Sequence, residues 1–340
     1  MRTASIFYGV MAFGLLVVGC SSEPTHRVNP NITVYDRDTM ADRPIKLPDN
    51  YSTENYGRLV LAVEPGAMSS NLALDESNLS YMSLRMQSEL SKLKRFSVVA
   101  LHGKNTARLE ELEDLGELNL PEVVEPETVD LVANWNINLH AEEERDGRDK
   151  EITFICSINL TCTDMRTKPG KIKFSKDLDV RVKREQRTNR TGMVIGGFQY
   201  RSKSDVQGLL QELSTQAAIR IANELGNQYP VGGRITGMLG TDMMTLDKGA
   251  EQGVGANMEM VVYANISGVD VPIASAGATP SSDTSQLETW RLNTKNKYAA
   301  KILKQIEEDP NWLSKNKLYA VGYGMAMPPE WKSKNFYLPR

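Results

Sequence analysis

The chain has 340 residues, with 40 Lys and Arg against 43 Asp and Glu, which gives a formal net charge of −3. This length allows two domains, each with its own hydrophobic core. The nearly neutral balance argues against a nucleic-acid partner, because such proteins carry a clustered positive surface.

The N-terminus has the pattern of an exported protein. Arg2 precedes an apolar stretch from Ile6 to Gly19, which is shorter than the roughly 20 apolar residues of a membrane-spanning helix. Residues 1–19 therefore predict a secretory signal peptide. Val17 to Cys20 resembles the bacterial lipobox, and this resemblance implies cleavage before Cys20, a diacylglyceryl group on its sulfur, and further acylation such as palmitate on its amine. Ser21 resembles the sorting signal for the outer membrane.

The lipobox resemblance leaves one alternative, an ordinary signal peptide with an incidental cysteine. If Cys20 is lipidated, two or more acyl chains hold the protein stably on a bilayer. Residues 20–57 are rich in Pro, Asn, Asp, Ser and Thr and show no periodicity. They predict a flexible tether between the lipid and the first domain.

Residues 58–229 predict an α/β domain. The sequence RLVLAV at 58–63 indicates a strand, and RFSVVAL at 95–101 indicates a second one. Between them, apolar residues at steps of three and four predict an amphipathic helix within 75–93. A short acidic helix is predicted at 107–115, and a long amphipathic helix runs from Val206 to Leu225.

Three long strands with strict alternation are predicted between these helices, with one face buried and the other wet. The first two are joined by a hairpin turn centred on Asp146-Gly147. Cys156 and Cys162 share one face of the second strand and are too far apart to form a disulfide. They are interpreted as buried apolar side chains, with a metal or redox pair as the alternative. The inward positions are Leu131, Ala133, Trp135, Ile137, Leu139 and Ala141, then Phe154, Cys156, Ile158, Leu160 and Cys162, then Ile172, Phe174, Leu178, Val180 and Val182.

Residues 230–340 predict a small β module with a C-terminal helix and tail. Short strands and glycine turns follow each other closely in residues 232–264, and residues 268–285 are interpreted as a loop. A helix is expected at 296–308 with Tyr298, Ile302 and Ile306 inward. A last strand follows in KLYAVGYGMA, and the PPEW tail ends the fold. The fold class is therefore α/β (α+β), a mixed sheet flanked by helices plus a small C-terminal β-rich module.

The order strand–helix–strand–helix–three strands–helix resembles a periplasmic α/β domain. Curli-secretion lipoproteins, penicillin-binding-protein activator lipoproteins and the translocation protein that partners the peptidoglycan-associated lipoprotein share that domain. RLVLAVEPG, LSKLKRFSVVA, VDLVANWNINL and LLQELSTQAAIRIANEL carry the resemblance. TLDKGAEQGVGANMEMVVYA resembles a β module of flagellar assembly lipoproteins, except that Asn257 replaces a glycine. These relatives are interaction and assembly proteins, and none of their functional residues is carried over.

No catalytic or ligand-binding motif is found. His26, His102 and His140 lack zinc-site spacing, and neither a P-loop, a G-x-G-x-x-G nor a G-x-S-x-G motif occurs. We therefore expect no cofactor, no metal site and no enzyme activity. The basic segment near residue 181, between the last long strand and the long helix, is a candidate partner-binding loop, and a solvated loop is its alternative. Its basic residues are Arg181, Lys183, Arg184, Arg187 and Arg190.

These features predict a non-catalytic lipoprotein, anchored in the outer membrane and facing the periplasm. It would act as an interaction or assembly factor in envelope or surface-structure biogenesis, with an envelope protein as partner and with possible homo-oligomers. Two alternatives are an activator of a wall-synthesis penicillin-binding protein and a subunit of an oligomeric curli-type secretion channel. The channel requires lipid-facing apolar hairpins. The only apolar candidate, GMVIGGF at 192–198, is too short to form the wall of a barrel. A periplasmic hydrolase is a further alternative.

Overall fold

A computed structural model describes residues 26–27, 44–101, 121–124, 128–146, 149–186, 193–200, 203–332 and 337–338. The predicted signal peptide, Cys20 and the predicted helix at 107–115 lie outside these residues. Five α-helices are described: α1 (Glu76–Leu90), α2 (Lys203–Gln228), α3 (Lys297–Glu308), α4 (Trp312–Lys315) and α5 (Pro329–Lys332). In this described part of the chain, no helix has the length and apolar character needed to cross a membrane.

The described strands form two main sheets and two small ones. The first group is β1 (His26–Arg27), β2 (Leu59–Ser70), β3 (Phe96–Leu101), β4 (Glu122–Val124), β5 (Leu131–Asp146), β6 (Asp149–Asp164), β7 (Lys171–Gln186), β8 (Met193–Ile195) and β9 (Phe198–Tyr200). The second group is β10 (Gly232–Leu239), β11 (Met243–Leu246), β12 (Met258–Ile266), β13 (Val269–Pro280), β14 (Ser285–Leu292), β15 (Lys317–Gly322) and β16 (Tyr337–Leu338). The small sheets are β1 with β16 and β8 with β9.

The N-terminal sheet is mixed, which confirms the predicted fold class. Its order is β4-β3-β2-β5-β6-β7. β2 runs parallel to β3 and β5, and β6 pairs antiparallel with both of its neighbours. Helix α1 begins where Asp75 accepts a 2.8 Å hydrogen bond from the Asn78 backbone N–H, a standard N-cap. The core forms between α1, α2 and one face of this sheet.

Strand alternation decides which face of the sheet is buried. On β5 and β6 the predicted inward residues from Leu131 to Leu139 and from Phe154 to Cys162 are buried, and both cysteines are free thiols. On β7, Val180 and Val182 are buried. Asp146 pairs with Asp149, so β5 and β6 form the predicted hairpin, and its connecting residues 147–148 lie outside the described residues.

Ile172 is the exception, because it is 64% exposed. The β6–β7 pairing contains an irregularity that joins Cys162 to Phe174 but Thr163 to Ile172. A bulge of this kind shifts the alternation by one residue. The inward prediction for Ile172 is therefore wrong, since the bulge moves it to the face opposite the helices.

The C-terminal module is a closed six-stranded barrel in the order β10-β11-β14-β13-β12-β15. The loop prediction for 268–285 is wrong, because Val269–Pro280 is strand β13. Ala274, Ala276 and Ala278 are buried and face the barrel core at every second position. Such short side chains give only a weak hydrophobic pattern in the sequence. Helix α3 covers the barrel core with four apolar side chains. These are Ala299, Ile302, Leu303 and Ile306.

Tyr298 does not point inward as predicted, because its side chain is 62% exposed. The buried stripe of α3 includes its neighbour Ala299 instead, one position along the helix. A small residue at 299 lets the helix lie close to the barrel, and this choice is not visible in a pattern scored by large apolar residues alone.

The stretch that precedes β2 packs back onto the barrel. Ile45, Leu47 and Tyr51, which belong to the stretch interpreted as a tether, pack with Tyr56 against the outside of the barrel. The Tyr56 and Tyr263 hydroxyls are 2.7 Å apart. These tyrosine and aliphatic side chains supply the apolar surface that a fully solvated tether would lack.

The C-terminal tail returns to the first domain. Trp331 is fully buried in the α/β core and donates a 2.7 Å hydrogen bond from its indole nitrogen to the Glu89 carboxylate. Lys92 and Arg85 also contact Glu89, at 2.7 and 2.8 Å. The tail therefore completes the α/β core, although the sequence placed it with the β module.

Arg95 joins the two modules at the α1–β3 turn. Its side chain is 2% exposed. It donates hydrogen bonds to the backbone oxygens of Tyr229 at 3.2 Å, Gly57 at 2.8 Å and Asn55. Burial lowers the pKa of Arg95 to about 10, and at that pKa the guanidinium remains charged near neutral pH. Gly253, with a φ of +88°, packs against the Arg95 backbone.

Candidate functional site

The candidate site is the face of β5, β6 and β7 that points away from α1 and α2, which we call the open sheet face. Within the described residues, both long helices pack on the opposite face. Eight of its polar side chains are exposed and three are half-buried. Its members are Asn134, Asn136, Asn138, Ser157, Asn159, Thr161, Ser175, Asp177, Asp179, Arg181 and Lys183.

These side chains form rows across the three strands. Asn136 pairs with Asn159, which pairs with Asp177. In this row the Asn159 amide donates a 2.8 Å hydrogen bond to the Asp177 carboxylate. In the next row the Ser157 hydroxyl donates to Asp179, also at 2.8 Å. These contacts hold the outward groups in place, while each carboxylate keeps further acceptor positions for another molecule.

Strand β2 extends the rows to a fourth strand. The backbone N–H of Ala67 donates a 2.8 Å hydrogen bond to the Asn136 side-chain oxygen. This approach requires glycine at the preceding position, because a Cβ on Gly66 would lie 2.3 Å from the same oxygen. The irregular pairing of β2 between Pro65 and Met68 therefore fixes the orientation of Asn136.

Charge is segregated along β7. Asp177 and Asp179 are followed, two residues apart each time, by Arg181 and Lys183. The period of two puts all four on the open sheet face, so one half of the β7 edge is acidic and the other half is basic. Lys183 also forms a 2.9 Å ion pair with Glu151 of β6.

The structure divides the basic segment that the sequence singled out. Residues up to Gln186 belong to strand β7 rather than to a loop. Arg181 and Lys183 lie exposed on the open sheet face, whereas Arg184 lies on the other face and forms an ion pair with Glu212 of α2. Arg187 and Arg190 lie outside the described residues. The strand alternation thus brings two of the five basic residues together with the two aspartates.

The cysteines do not form a reactive site. Burial raises the pKa of Cys162 to about 12, and burial also raises the pKa of Cys156. Both thiols therefore stay protonated near neutral pH, and the thiolate is the form that attacks electrophiles or binds metals. This agrees with their interpretation as buried apolar side chains. Among the described residues, no group of three His, Cys, Asp or Glu side chains could hold a metal ion.

A pocket of about 200 Å³ lies between the first turns of α1 and the irregular part of β2. Pockets for small organic ligands usually measure about 300 to 1,000 Å³. This pocket is therefore too small for most such ligands. Its wall combines Pro65, Gly66, Met68, Glu76, Leu79, Ser80, Ser83 and Leu84.

The sequence analysis recognised one face of the three strands as wet but did not select its residues as a site. Asn134, Asn136 and Asn138 alternate with the buried residues of β5, and Asp179 lies between Leu178 and Val180. The alternation alone could have identified them. Their alignment into rows could not be found, because it depends on the registers of β5–β6 and β6–β7.

No protein-family model matches the chain, and no curated protein matches it. Among solved structures, it is similar to the hypothetical protein CT253 from Chlamydia trachomatis, with 16% identity, a TM-score of 0.29, and coverage of 48% of this chain and 96% of that one. A candidate neuraminyllactose-binding hemagglutinin homologue from Helicobacter pylori has 14% identity, a TM-score of 0.28, and coverage of 55% and 92%. Lipoprotein GNA1162 from Neisseria meningitidis has 18% identity, a TM-score of 0.24, and coverage of 49% and 99%. At these TM-scores the similarities carry no argument about function.

Proposed function

We propose that this protein is a bacterial lipoprotein, anchored through Cys20 in the outer membrane and facing the periplasm, that docks a protein partner without catalysing a reaction. It serves envelope or surface-structure biogenesis as an interaction or assembly factor. The observation that carries this proposal is the open sheet face, where exposed polar side chains stand in hydrogen-bonded rows. The lipobox resemblance at Val17 to Cys20 supports the anchor.

The charges of the open sheet face select the partner. A complementary protein surface carries basic side chains opposite Asp177 and Asp179 and acidic side chains opposite Arg181 and Lys183. Complementary potentials of this kind raise association rates and fix the orientation of a complex. The amide and hydroxyl rows favour a hydrogen-bonded interface with bridging water rather than an apolar one.

The size of the face predicts a transient complex. The face extends over nine residues of strand length, from Ser175 to Lys183 on β7, and across three adjacent strands. These dimensions give a surface of roughly 30 by 15 Å. This is about half of the ~800 Å² that a stable interface takes from each partner. We therefore expect the partner to exchange on and off the open sheet face, with the lipid anchor keeping the protein in the same compartment.

Crosslinking in intact cells tests the docking face. A photoreactive amino acid at Asp177 is expected to crosslink a specific envelope protein, while the same amino acid at Lys176 is not. Lys176 is the matched control because it is exposed on the same strand and its side chain lies on the other side. Equal crosslinking from both positions, or none from Asp177, would contradict the proposal. A penicillin-binding protein among the products would identify the activator alternative.

Charge reversal tests the same face without a crosslinker. Because like charges across an interface cost several kcal/mol, Asp177→Lys with Asp179→Lys is expected to lower partner recovery more than about tenfold. Lys176→Glu is the control and should leave recovery unchanged. Unchanged recovery with the double reversal would remove the open sheet face as the docking surface.

The anchor is tested separately. Labelled palmitate is expected to enter the wild-type protein, and Cys20→Ala is expected to release the protein from the membrane fraction. An unmodified mature N-terminus by mass spectrometry would contradict the anchor while leaving the docking face to its own test.

The secretion-channel alternative is less well supported by the described residues. β8 and β9 form a hairpin of two three-residue strands. Membrane-spanning strands need about 9–11 residues. The long strands β5 to β7 carry polar rows on the face that would have to meet lipid. Ring-shaped, detergent-resistant particles in electron micrographs would favour the channel over the docking protein.

A further inference from the structure

The barrel has one end against the α/β domain and one end away from it, which we call the distal barrel end. β10, β12 and β14 finish there, and β11, β13 and β15 begin there, because neighbouring strands are antiparallel all around the barrel. Helix α3 connects β14 to α4 and β15 across this end. The other end holds Val231 and Gly253 next to Tyr229 and Arg95 of the α/β domain.

Exposed apolar side chains concentrate at the distal barrel end. Leu239, at the end of β10, is 74% exposed, Val269, at the start of β13, is 62% exposed, and Tyr298 of α3 is also 62% exposed. Of the five large hydrophobic side chains that are exposed in the described residues, these are three. Leu239 and Val269 adjoin tight turns whose glycines, Gly240 and Gly268, have φ values of +58° and +83°. Both side chains therefore stand at hairpin tips.

Four exposed lysines lie on the elements that meet at the distal barrel end. Lys295 and Lys297 flank Asn296, the N-cap of α3, Lys301 lies one turn into the helix, and Lys317 begins β15. Within the described residues none of the four forms an ion pair, and Lys297 lies 4.9 Å from the Tyr298 ring centre. Asp270, beside Val269, is half-buried and accepts hydrogen bonds from Tyr51 and Asn265. The other acidic groups at this end are Asp242 in the β10–β11 turn, Glu288 of β14, and Glu307, Glu308 and Asp309 at the far end of α3, where Glu308 contacts Lys304 and Asp309 contacts Lys315.

The lysines do not stabilise helix α3. Positive charge in the first turns of a helix opposes the helix dipole and costs stability, and negative charge at the last turn does the same. Helix α3 has both arrangements, with Lys297 and Lys301 early and Glu307 and Glu308 late. The positive charge at this end therefore calls for an explanation outside the helix itself.

We propose that the distal barrel end contacts the surface of an anionic phospholipid bilayer. The side chains of Leu239 and Val269 enter the boundary between the lipid headgroups and the acyl chains, where burial of apolar surface is favourable. Tyr298 lies at the depth that tyrosine prefers, and the four lysines face lipid phosphates. This inference rests on the proposed function, since the acyl anchor keeps the protein at the membrane surface.

Depth-dependent quenching tests this contact. Single variants Leu239→Cys and Val269→Cys are labelled with a fluorophore in the full lipidated chain on phosphatidylglycerol vesicles. Cys156 and Cys162 are buried and Cys20 carries lipid, so only the introduced thiol reacts. Spin-labelled lipids are expected to quench both labels about threefold more strongly than the controls Ile172→Cys and Val194→Cys, because only inserted labels lie at headgroup depth. The controls are exposed apolar positions of the α/β domain, at 64% and 49%.

The lysines are tested in the unlipidated chain carrying Cys20→Ala, mixed with the same vesicles. Lys297→Gln and Lys301→Gln are each expected to weaken vesicle binding about fivefold, the effect of one basic residue near an anionic surface. Lys171→Gln, at an exposed position of the α/β domain, should have no effect. Neutral phosphatidylcholine vesicles should bind weakly.

Equal quenching at all four labelled positions would overturn the inference, as would equal binding to neutral and anionic vesicles. Labels at Leu239→Cys and Val269→Cys that lipid does not quench would also overturn it. Failure of the anchor is seen independently in the mass of the Cys20 peptide, and the unlipidated binding experiment still decides the lipid contact in that case.

Discussion

The two ends of the barrel differ in how far their side chains are buried and hydrogen-bonded. At the inner end, the Arg95 guanidinium donates to three backbone oxygens, and the Arg95 backbone and Cβ lie against Gly253, so both the charge and the backbone are buried. At the distal end, Leu239 and Val269 are exposed at hairpin tips. The same six strands thus supply a joint at one end and a free surface at the other. This difference indicates that the inner end determines stability and the distal end is available for contact.

The largest effect is expected from Arg95→Ala. The substitution leaves the backbone oxygens of Asn55, Gly57 and Tyr229 without their donor inside the joint, and each buried unsatisfied group costs about 1–3 kcal/mol. We expect the free energy of unfolding to fall by about 3–5 kcal/mol, measured by urea denaturation. Arg95→Lys keeps the charge and part of the donors, so its loss should be smaller. Equal losses for the two variants would show that the three hydrogen bonds of the guanidinium do not stabilise the contact between the barrel and the α/β domain.

A matched pair of glycines compares the two ends directly. Gly253 and Gly268 have similar left-handed φ values, +88° and +83°, but a Cβ at 253 would lie 3.0 Å from Arg95 whereas a Cβ at 268 would meet nothing within 4 Å. Gly268→Ala is expected to cost about 1 kcal/mol for backbone strain alone. Gly253→Ala should cost about 2–3 kcal/mol, since crowding adds to the strain. Thermal or urea unfolding of both variants measures the difference. If the two losses are equal, the inner end is not more tightly packed.

The smallest effect concerns pH. Burial of Glu89 disfavours its ionised form, but hydrogen bonds from Lys92 and Trp331 and the charge of Arg85 outweigh burial, so the pKa of Glu89 lies below its usual value. A lowered folded-state pKa adds stability above the unfolded-state pKa of about 4.3, and this stability is lost as pH falls through the folded-state pKa. We expect Glu89→Gln to be about 1–2 kcal/mol less stable than wild type at pH 7.

This difference should narrow as the pH falls below the unfolded-state pKa of about 4.3 and vanish once the pH has passed through the lower folded-state pKa of Glu89. Urea denaturation at several pH values between 7 and 3 measures it. A constant gap across this range would show that the ionised carboxylate does not hold Trp331. Asp242→Asn, in an exposed turn at the distal barrel end, is the control for the loss of a carboxylate that does not contact Trp331.

Periodicity accounts for most of what the sequence could predict. Helices α1 and α2, and the buried faces of β5 and β6, follow from apolar spacing over long segments, where one pattern dominates. The prediction failed where side chains are small or the spacing is interrupted. Ala274, Ala276 and Ala278 gave no apolar contrast in β13, and one bulge moved Ile172 to the other face.

The candidate site was only partly predictable for a related reason. The polar residues of the open sheet face were visible, but their rows depend on which residue of one strand lies beside which residue of the next. The basic segment was found by composition, and alternation then separated Arg184 from Arg181 and Lys183. The joint at Arg95 depends on contacts between residues far apart in the chain, which local patterns do not encode.

The return of the C-terminal tail sets the order in which this protein can fold. Met325, Met327 and Trp331 belong to the core of the domain that begins near Leu59. That core therefore stays incomplete until residues 325–331 have joined it, and its closure requires contacts between residues far apart in the sequence, which slow folding. Unlike a protein whose domains fold one after another, this protein cannot complete its first unit before Trp331 is in place.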